Sequence, residues 1–452
     1  MIDAQRIQAT LGETSIPDTS QVTEVLDKVS LLKGLTLEEA ATLLSVDDPA
    51  LLQRIYQKAR EVKEKVFGKR IVLFAPLYLS NYCTNNCLYC GFRKDNQMAI
   101  RRTLTVEEVV GEASVLESKG FKRVLLVCGE DPVRSGVDYL ISIIEAIYRD
   151  TGIRIIHINT PPMNVEDLRR LKTTGVGVYQ IFQETYHRPT YETVHPSGRK
   201  KDYTYRLQVM DRAIEAGFED VGIGALLGLY DYRFDVLATI AHSQYLFERF
   251  GFHAHTVSVP RLRPAPGSPI QQAPYPVSDE GFKKIVAVYR LALPSVGIVV
   301  STREGMALRD EVVHIGASQI SAGSRTDPGG YTEGVRAEKQ FLTSDHRTLE
   351  DVIVSMAKGG LLPSLCTTCY RVGRTGPVFN KVTLRGGMER LCQANALLTL
   401  QEYIQDYARN GAGEVCKEAI VKELEGIKDE AIKKEVLNRL ERIKEGERDL
   451  YL

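Results

Sequence analysis

Ile71-Val-Leu-Phe-Ala-Pro-Leu-Tyr-Leu79 runs into Ser80-Asn-Tyr-Cys83-Thr-Asn-Asn-Cys87-Leu-Tyr-Cys90. A long apolar run thus empties into a polar loop carrying three cysteines. A strand buried on both faces reads as an unbroken apolar run rather than an alternating one. Seven more such runs follow, at 124–128, 153–158, 178–182, 221–223, 255–259, 298–300 and 318–321, bounded by Gly, Pro, Asn or Ser. Helix-like stretches separate most of them, for example 105–119, 203–216 and 278–293. Eight strand-then-helix units predict an α/β fold, a (β/α)₈ barrel of TIM type, over residues 71–344.

Such barrels carry their chemistry in the loops after the strands. Here the polar segments fall there: 81–96 after the first run, Gly129-Glu130 after the second and Asn159-Thr160 after the third. Gln183-Glu184-Thr185-Tyr186, the Gly224–Gly228 stretch and Pro260-Arg261-Leu262-Arg263 follow the next three. Ser301-Thr302-Arg303-Glu304 and Gly323-Ser324-Arg325 follow the last two.

Residues 1–70 read as a helical extension. Thr36-Leu-Glu-Glu39 has the form of a capping box, and Leu43, Leu44, Leu51 and Leu52 follow at helical spacing. Residues 345–452 read as a mainly helical domain. Thr348-Leu-Glu-Asp351 opens a helix, a Gly/Arg/Thr-rich loop spans the interval between Cys369 and Cys392, and a Lys/Glu-rich helical face follows Gly411.

Lys+Arg and Asp+Glu both number 58 in 452 residues, so no electrostatic case exists for nucleic acid or an anionic membrane. No apolar stretch is long enough to span a bilayer, and the first residues are polar, unlike a signal peptide. A cytoplasmic protein is expected, in which the eight cysteines stay reduced and serve as ligands, catalysts or packing residues. Six of them form two groups.

Cys83, Cys87 and Cys90 have the spacing C-x₃-C-x₂-C. Three soft thiolates on one loop can hold three corners of an iron–sulfur cubane and leave the fourth iron open for a guest. A zinc site lacking its fourth ligand, or plain buried cysteines, are the alternatives. The spacing, with Tyr89 before the last cysteine, resembles the radical SAM (S-adenosylmethionine) superfamily. That resemblance implies a [4Fe–4S] cluster whose open iron chelates SAM and whose electron generates a 5′-deoxyadenosyl radical. It also implies an electron donor such as ferredoxin or flavodoxin, and an anaerobic cell. Gly129 and Glu130 match the Gly-Gly-Glu motif that receives the SAM amino group, with Cys128 replacing its first glycine. Glu184 and Arg206 look like the pair that grips SAM's polar ends. Gly222-Ile-Gly224 resembles the strand that passes under the adenine.

Cys366, Cys369 and Cys392 form a second trio, C-x₂-C-x₂₂-C. A zinc ribbon needs two close pairs, and Cys416 has no neighbour. Both trios together, with the stretch Thr368–Gly376, resemble the tyrosine lyases of [FeFe]-hydrogenase maturation, HydG, over about residues 70–400. The cousin family of thiamine thiazole synthesis, ThiH, shares the barrel motifs and lacks the tail trio. The resemblance implies cleavage of the Cα–Cβ bond of L-tyrosine to p-cresol and dehydroglycine. Dehydroglycine then yields carbon monoxide and cyanide at a second [4Fe–4S] cluster in the tail. There an additional labile iron is held by a cysteine or homocysteine and by a histidine matching His255; His253 lies two residues away. A hydrogenase-maturation scaffold protein is the implied downstream partner. Arg325 looks like the residue that holds the substrate carboxylate. Arg303, Ser301, Tyr186 and Asn159 are further candidates for the tyrosine pocket. A 2-iminoacetate synthase of ThiH type, a non-catalytic iron–sulfur scaffold and a zinc-binding interaction protein are the competing expectations.

Overall fold

The computed structural model describes residues 1–332, 337–384 and 387–452. Eight parallel strands form a ring: β1 (Arg70–Ser80), β2 (Arg123–Cys128), β3 (Ile155–Asn159), β4 (Tyr179–Gln180), β5 (Val221–Gly224), β6 (Thr256–Ser258), β7 (Gly297–Val300) and β8 (Gln319–Ser321). Each pairs with the next, and β8 and β2 both pair with β1, which closes the barrel. Every expected apolar run carries one of these strands. Their side chains are buried because helices cover the outer face and packed side chains fill the inner one.

The β1–β2 register slips between Tyr78 and Ser80. That irregularity turns the chain out of the ladder just before the first cysteine loop, as bulges do beside functional sites. Outer helices begin where the sequence supplies caps. Thr105 Oγ1 accepts the Glu108 N–H at 3.3 Å, while the Glu108 carboxylate accepts the Thr105 N–H at 2.8 Å. The helix expected over 203–216 is two helices, Tyr203–Leu207 and Val209–Glu215. The break adjoins Arg206, whose Nε donates to the Phe182 carbonyl at 2.7 Å and draws the first piece toward the barrel mouth.

Four helices, Ala4–Glu13, Thr19–Val29, Leu37–Leu44 and Pro49–Phe67, make up the N-terminal region, and the Thr36–Glu39 capping box forms as expected. They clasp the outer helix Asp279–Ala292. Lys284 Nζ donates to the Val46 carbonyl at 2.8 Å. Gly34, at φ +80°, allows a close approach to Ala292: a Cβ there would sit 2.5 Å from that carbonyl oxygen.

No helix directly follows β8. Residues 322–332 and 337–348 form an irregular connection instead, and Leu349–Lys358 is the next helix. It leads to a strand not anticipated from sequence, β9 (Leu362–Ser364), parallel to Arg70–Val72 of β1. Val72 pairs with Gln319 of β8 and with Ser364 of β9, so β9 lies on the β2 side of β1. Pro363 is tolerated because β9 is an edge strand with one neighbour. The expected loop between Cys369 and Cys392 contains the helix Gly376–Leu384, and its Arg385-Gly386 pair lies outside the described residues. Gly387–Asp406, Ala412–Glu425 and Glu430–Lys444 complete the tail. Among the described residues no helix is long and apolar enough to cross a membrane.

Candidate functional site

The barrel has two mouths, and each receives one cysteine trio. At the C-terminal ends of the strands lies a cavity of about 120 Å³ that opens to solvent. Cys83, Cys87 and Cys90 form part of its wall. Two separate segments pin their loop. Thr84 N–H donates to the Glu130 carbonyl at 2.8 Å, Asn86 N–H to Ser197 at 3.2 Å, and Leu88 N–H to Val194 at 3.0 Å. Asn85 locks the same loop from inside: its Nδ2 donates to Glu130 Oε2 at 2.6 Å and its Oδ1 accepts the Lys200 N–H at 2.8 Å.

The donor chemistry of this trio suits a cationic cluster. Burial pushes the Cys87 thiol up to about 11 and the Cys90 thiol up to about 12, and neighbouring cysteines add to both shifts. Three adjacent thiolates are therefore unfavourable unless a positive metal group compensates them. A backbone amide is already aimed at sulfur, with Phe92 N–H 3.4 Å from Cys90 Sγ. Among the described residues no three His, Cys, Asp or Glu side chains converge on the centre of a single ion.

Opposite the cysteines sits a charged network. Glu184 takes φ +70°, a left-handed conformation that costs an L-residue about 1–3 kcal/mol. Its carboxylate lies 2.5 Å from Lys200 Nζ and 3.4 Å from Arg206. Burial works to raise its pKa, but the Lys200 and Arg206 charges outweigh that and hold the group below its usual value. Glu184 is therefore ionised at neutral pH. Gly129 is obligatory where it stands, because a Cβ would come within 2.2 Å of the Tyr82 carbonyl. Tyr89 borders the cavity and bonds His195 Nε2 at 2.7 Å, while His195 Nδ1 faces the Tyr191 carbonyl at 2.8 Å. A carbonyl only accepts, so Nδ1 carries the proton and Tyr89 donates to Nε2. Asn159, Arg263 and Arg303 complete the wall, with the Arg303 guanidinium 3.3 Å from the Phe341 ring centroid.

The N-terminal mouth holds a second, much smaller cavity of about 30 Å³, bordered by Arg70, Arg123, His255, Cys366, Cys369 and Tyr370 among others. β9 delivers Cys366 to this floor, and the helix Gly387–Asp406 brings Cys392 against Cys369. Cys369 donates a hydrogen bond to Cys392, which raises the first thiol and lowers the second. His255 Nε2 meets the Tyr370 hydroxyl at 2.8 Å, and its Nδ1 lies 3.1 Å from Asp220 Oδ1. Among the described residues, four buried polar atoms of this end have no hydrogen-bond partner: Arg70 Nε, Arg123 Nε, His157 Nε2 and Thr256 Oγ1. Native proteins seldom leave such atoms unsatisfied, so the cluster fits a site shaped around a bound group.

Most candidates named from sequence border one cavity or the other, and seven do not: Tyr186, Arg325, Ser301, His253, Gly222, Gly224 and Cys392. Tyr186 is fully buried away from the cavity, its hydroxyl 2.9 Å from His242 Nδ1 on the outer helix Tyr232–Phe250. The left-handed turn at Glu184 reverses the chain and carries Tyr186 outward. Arg325 is exposed, because Gly323 at φ +55° turns the segment away from the axis. Ser301 stands behind Arg303, its Oγ accepting the Arg303 N–H at 3.4 Å. His253 precedes β6 and stacks on Phe247 at 4.6 Å, on the outer surface rather than beside His255. Gly222 and Gly224 lie in the barrel wall, where a Cβ would come within 2.7 Å of Thr256 Oγ1 and of the Ser258 carbonyl respectively. Sequence reasoning missed Asn85, Lys200 and Arg263 above, and Arg123, His157 and Tyr370 below. Three of them left a signal: Asn85 inside the cysteine loop, Arg263 in the polar segment after the sixth run and Tyr370 in the Thr368–Gly376 stretch.

Known proteins share this arrangement. Residues 77–241 match the radical SAM superfamily, and residues 258–362 match the Biotin and Thiamin Synthesis associated domain. A crystal structure of HydG, a maturase of the [FeFe]-hydrogenase, superposes with a TM-score of 0.97 at 46% identity, covering 100% of this chain and 99% of that one. HydG from Carboxydothermus hydrogenoformans superposes with a TM-score of 0.86 at 40% identity, covering 97% of each chain. The 2-iminoacetate synthase of Escherichia coli is 33% identical over 331 residues, 73% of this chain and 86% of that protein. On these matches and this barrel, the chain belongs to the HydG/ThiH group of radical SAM enzymes.

Proposed function

We propose that this chain is a tyrosine lyase of hydrogenase maturation. It cleaves L-tyrosine to p-cresol and dehydroglycine at the C-terminal mouth. It converts dehydroglycine to carbon monoxide and cyanide at the N-terminal mouth. The observation that carries this reading is the second trio. Cys366, Cys369 and Cys392 meet at the far end of the same barrel, beside His255 and unpartnered Arg70 and Arg123 atoms. An enzyme that stopped at dehydroglycine would have no use for that end. The HydG structures span the tail as well as the barrel, whereas the 2-iminoacetate synthase match covers 73% of the chain.

A cluster bound at the upper trio, with SAM, supplies the electron that opens the sulfonium and so the radical that abstracts hydrogen. The chain's own residues do the rest. Glu184, Arg206 and Glu130 hold SAM's charged ends, because paired carboxylate and guanidinium groups match an amino acid's ammonium and carboxylate. Arg303 clamps the tyrosine carboxylate. Burial lowers its pKa, yet a guanidinium remains charged, and Phe341 and Ser301 fix its direction. Asn159 offers the amide that orients the amine or phenol. At the lower mouth His255 supplies Nδ1 or Nε2 to the additional iron, with Tyr370 and Asp220 setting its ring orientation.

The test uses the reconstituted, reduced full chain with SAM and tyrosine. It measures 5′-deoxyadenosine, p-cresol, carbon monoxide and cyanide together. All four products are expected. p-Cresol without carbon monoxide or cyanide would make the chain a 2-iminoacetate synthase instead, and no SAM cleavage at all would leave it a scaffold.

A further inference from the structure

The irregular connection after β8 returns across the C-terminal mouth, and backbone hydrogen bonds to three other segments fix it there. Glu338 N–H donates to the Ile100 carbonyl at 3.2 Å, and Leu342 N–H to Pro264 at 3.1 Å. The Gln340 carbonyl accepts the Gly91 N–H at 3.1 Å. Gly91 follows the last cysteine of the upper trio, and a Cβ there would come within 2.1 Å of the Lys339 carbonyl. Gln340 and Phe341 are thereby set into the cavity wall. The Gln340 side chain is oriented too. The buried Tyr78 ring stands edge-on to Phe92, with centroids 5.9 Å apart, and its hydroxyl lies 2.7 Å from Gln340 Oε1. That hydroxyl has no other hydrogen-bond partner among the described residues. Its one hydrogen therefore goes to Oε1, and Gln340 Nε2 keeps both of its own without an acceptor. Nor is Nε2 one of the atoms sealed inside the protein.

We propose that Gln340 is a specificity-determining residue, its Nε2 donating to the same substrate carboxylate that Arg303 holds. The inference rests on the upper mouth being the tyrosine site with Arg303 as its clamp, and it adds the second donor. Two observations bring Gln340 and Arg303 onto one small group. Phe341, the next residue in the chain, carries the Arg303 guanidinium 3.3 Å from its ring centroid. Burial raises the Tyr78 pKa and the Arg303 charge opposes that rise, so the guanidinium stands near the hydroxyl that orients Gln340. Among the described residues only the backbone of Arg303 is hydrogen-bonded, which leaves its side-chain donors for a ligand. A carboxylate offers about four lone-pair sites and a guanidinium fork takes two, so one amide donor fits beside it. A hydrogen bond to a charged acceptor is about twice as strong as one to a neutral group, so this donor favours ligands that carry the carboxylate. Tyr78 is a positioning residue that acts through Gln340.

The experiment titrates the reconstituted full chain, loaded with SAM and left oxidised so that no turnover occurs. The ligands are L-tyrosine and tyramine, which keeps the phenol and the amine and lacks the carboxylate. Calorimetry, with displacement for the weaker ligand, reads both affinities. The parent is expected to bind tyrosine more tightly than tyramine. Gln340→Leu is expected to weaken tyrosine about tenfold and to leave tyramine within about twofold. Gln340→Glu keeps the size and polarity of the side chain but sets an anion against the carboxylate. It should weaken tyrosine about a hundredfold while tyramine binds at least as well as in the parent. Tyr78→Phe frees the amide to rotate and should weaken tyrosine a few-fold, again without affecting tyramine. Unchanged tyrosine affinity in both Gln340 variants, or equal weakening of the two ligands, overturns the role of Gln340. Failure of the parent to bind tyrosine instead overturns the underlying reading of the upper mouth.

Discussion

The two mouths of the barrel solve the same problem with opposite means. Above, the trio comes from one eight-residue loop, and the charges around it are paired: Glu184 with Lys200 and Arg206, Asn85 with Glu130. Below, the trio comes from the segment after an edge strand and from a distant helix, and several surrounding polar atoms are left open. Arg70 and Arg123 make no ion pair among the described residues. The upper site is preorganised before any guest arrives, as electrostatic catalysis requires. The lower site leaves buried polar atoms unsatisfied, which the upper site's charged network does not.

Removing one sulfur from each end breaks this comparison most sharply. Cys87→Ala is expected to abolish 5′-deoxyadenosine, p-cresol and carbon monoxide together, since every later step depends on the upper cluster. Cys369→Ala is expected to keep p-cresol within about twofold of the parent while carbon monoxide falls by roughly a hundredfold or more. Chromatography of the phenol and a haem-binding assay for the gas read the two outcomes. Equal loss of both products in Cys369→Ala would dissolve the division between the mouths.

The next contrast lies within the upper mouth. Arg303 borders the cavity and Arg325 does not. Arg303→Ala removes a charge-assisted contact, so kcat/KM for tyrosine should drop about 10- to 100-fold. Arg325→Ala should stay within about twofold. The reverse order would move the carboxylate clamp to the eighth strand. At the lower mouth, His255→Ala should weaken retention of the additional iron by about 10- to 100-fold while the tail cluster keeps its absorbance. Loss of that absorbance would make His255 a structural residue of the floor.

What could be read in the sequence follows the same division. The eight barrel strands were legible because fully buried parallel strands leave unbroken apolar runs between turn residues. The upper trio was legible because its spacing lies within one loop. β9 was not, since Leu362-Pro-Ser364 is short and carries a proline that only an edge position accepts. The partners of the lower site were not legible either. Arg70, Arg123 and His157 stand on three different strands and His255 just before a fourth, and they meet only once the barrel closes. Tyr186 and Arg325 misled for a further reason. Position after a strand says that a residue is near the mouth, but one left-handed residue, Glu184 or Gly323, decides whether its neighbours point in or out.

That left-handed turn at Glu184 needs a brace, and Asp235 supplies it. Its carboxylate, fully buried on the helix Tyr232–Phe250, accepts the Thr185 hydroxyl at 3.0 Å and the Tyr186 N–H at 2.7 Å. Its other oxygen has no partner. Burial raises its pKa to about 7, against the lowering effect of those two hydrogen bonds. The folded value lies above the unfolded one, so the folded chain keeps the proton to higher pH. This contribution to stability is fully present below about pH 4 and is lost as pH rises through about 7. Asp235→Asn keeps an accepting oxygen and carries no charge. The Tm of the variant minus that of the parent should therefore increase by a few degrees between about pH 5.5 and about pH 8. A difference that stays flat would mean the carboxylate does not titrate in the folded chain. The Tyr186–His242 bond would then be the brace that holds Glu184 in its strained turn.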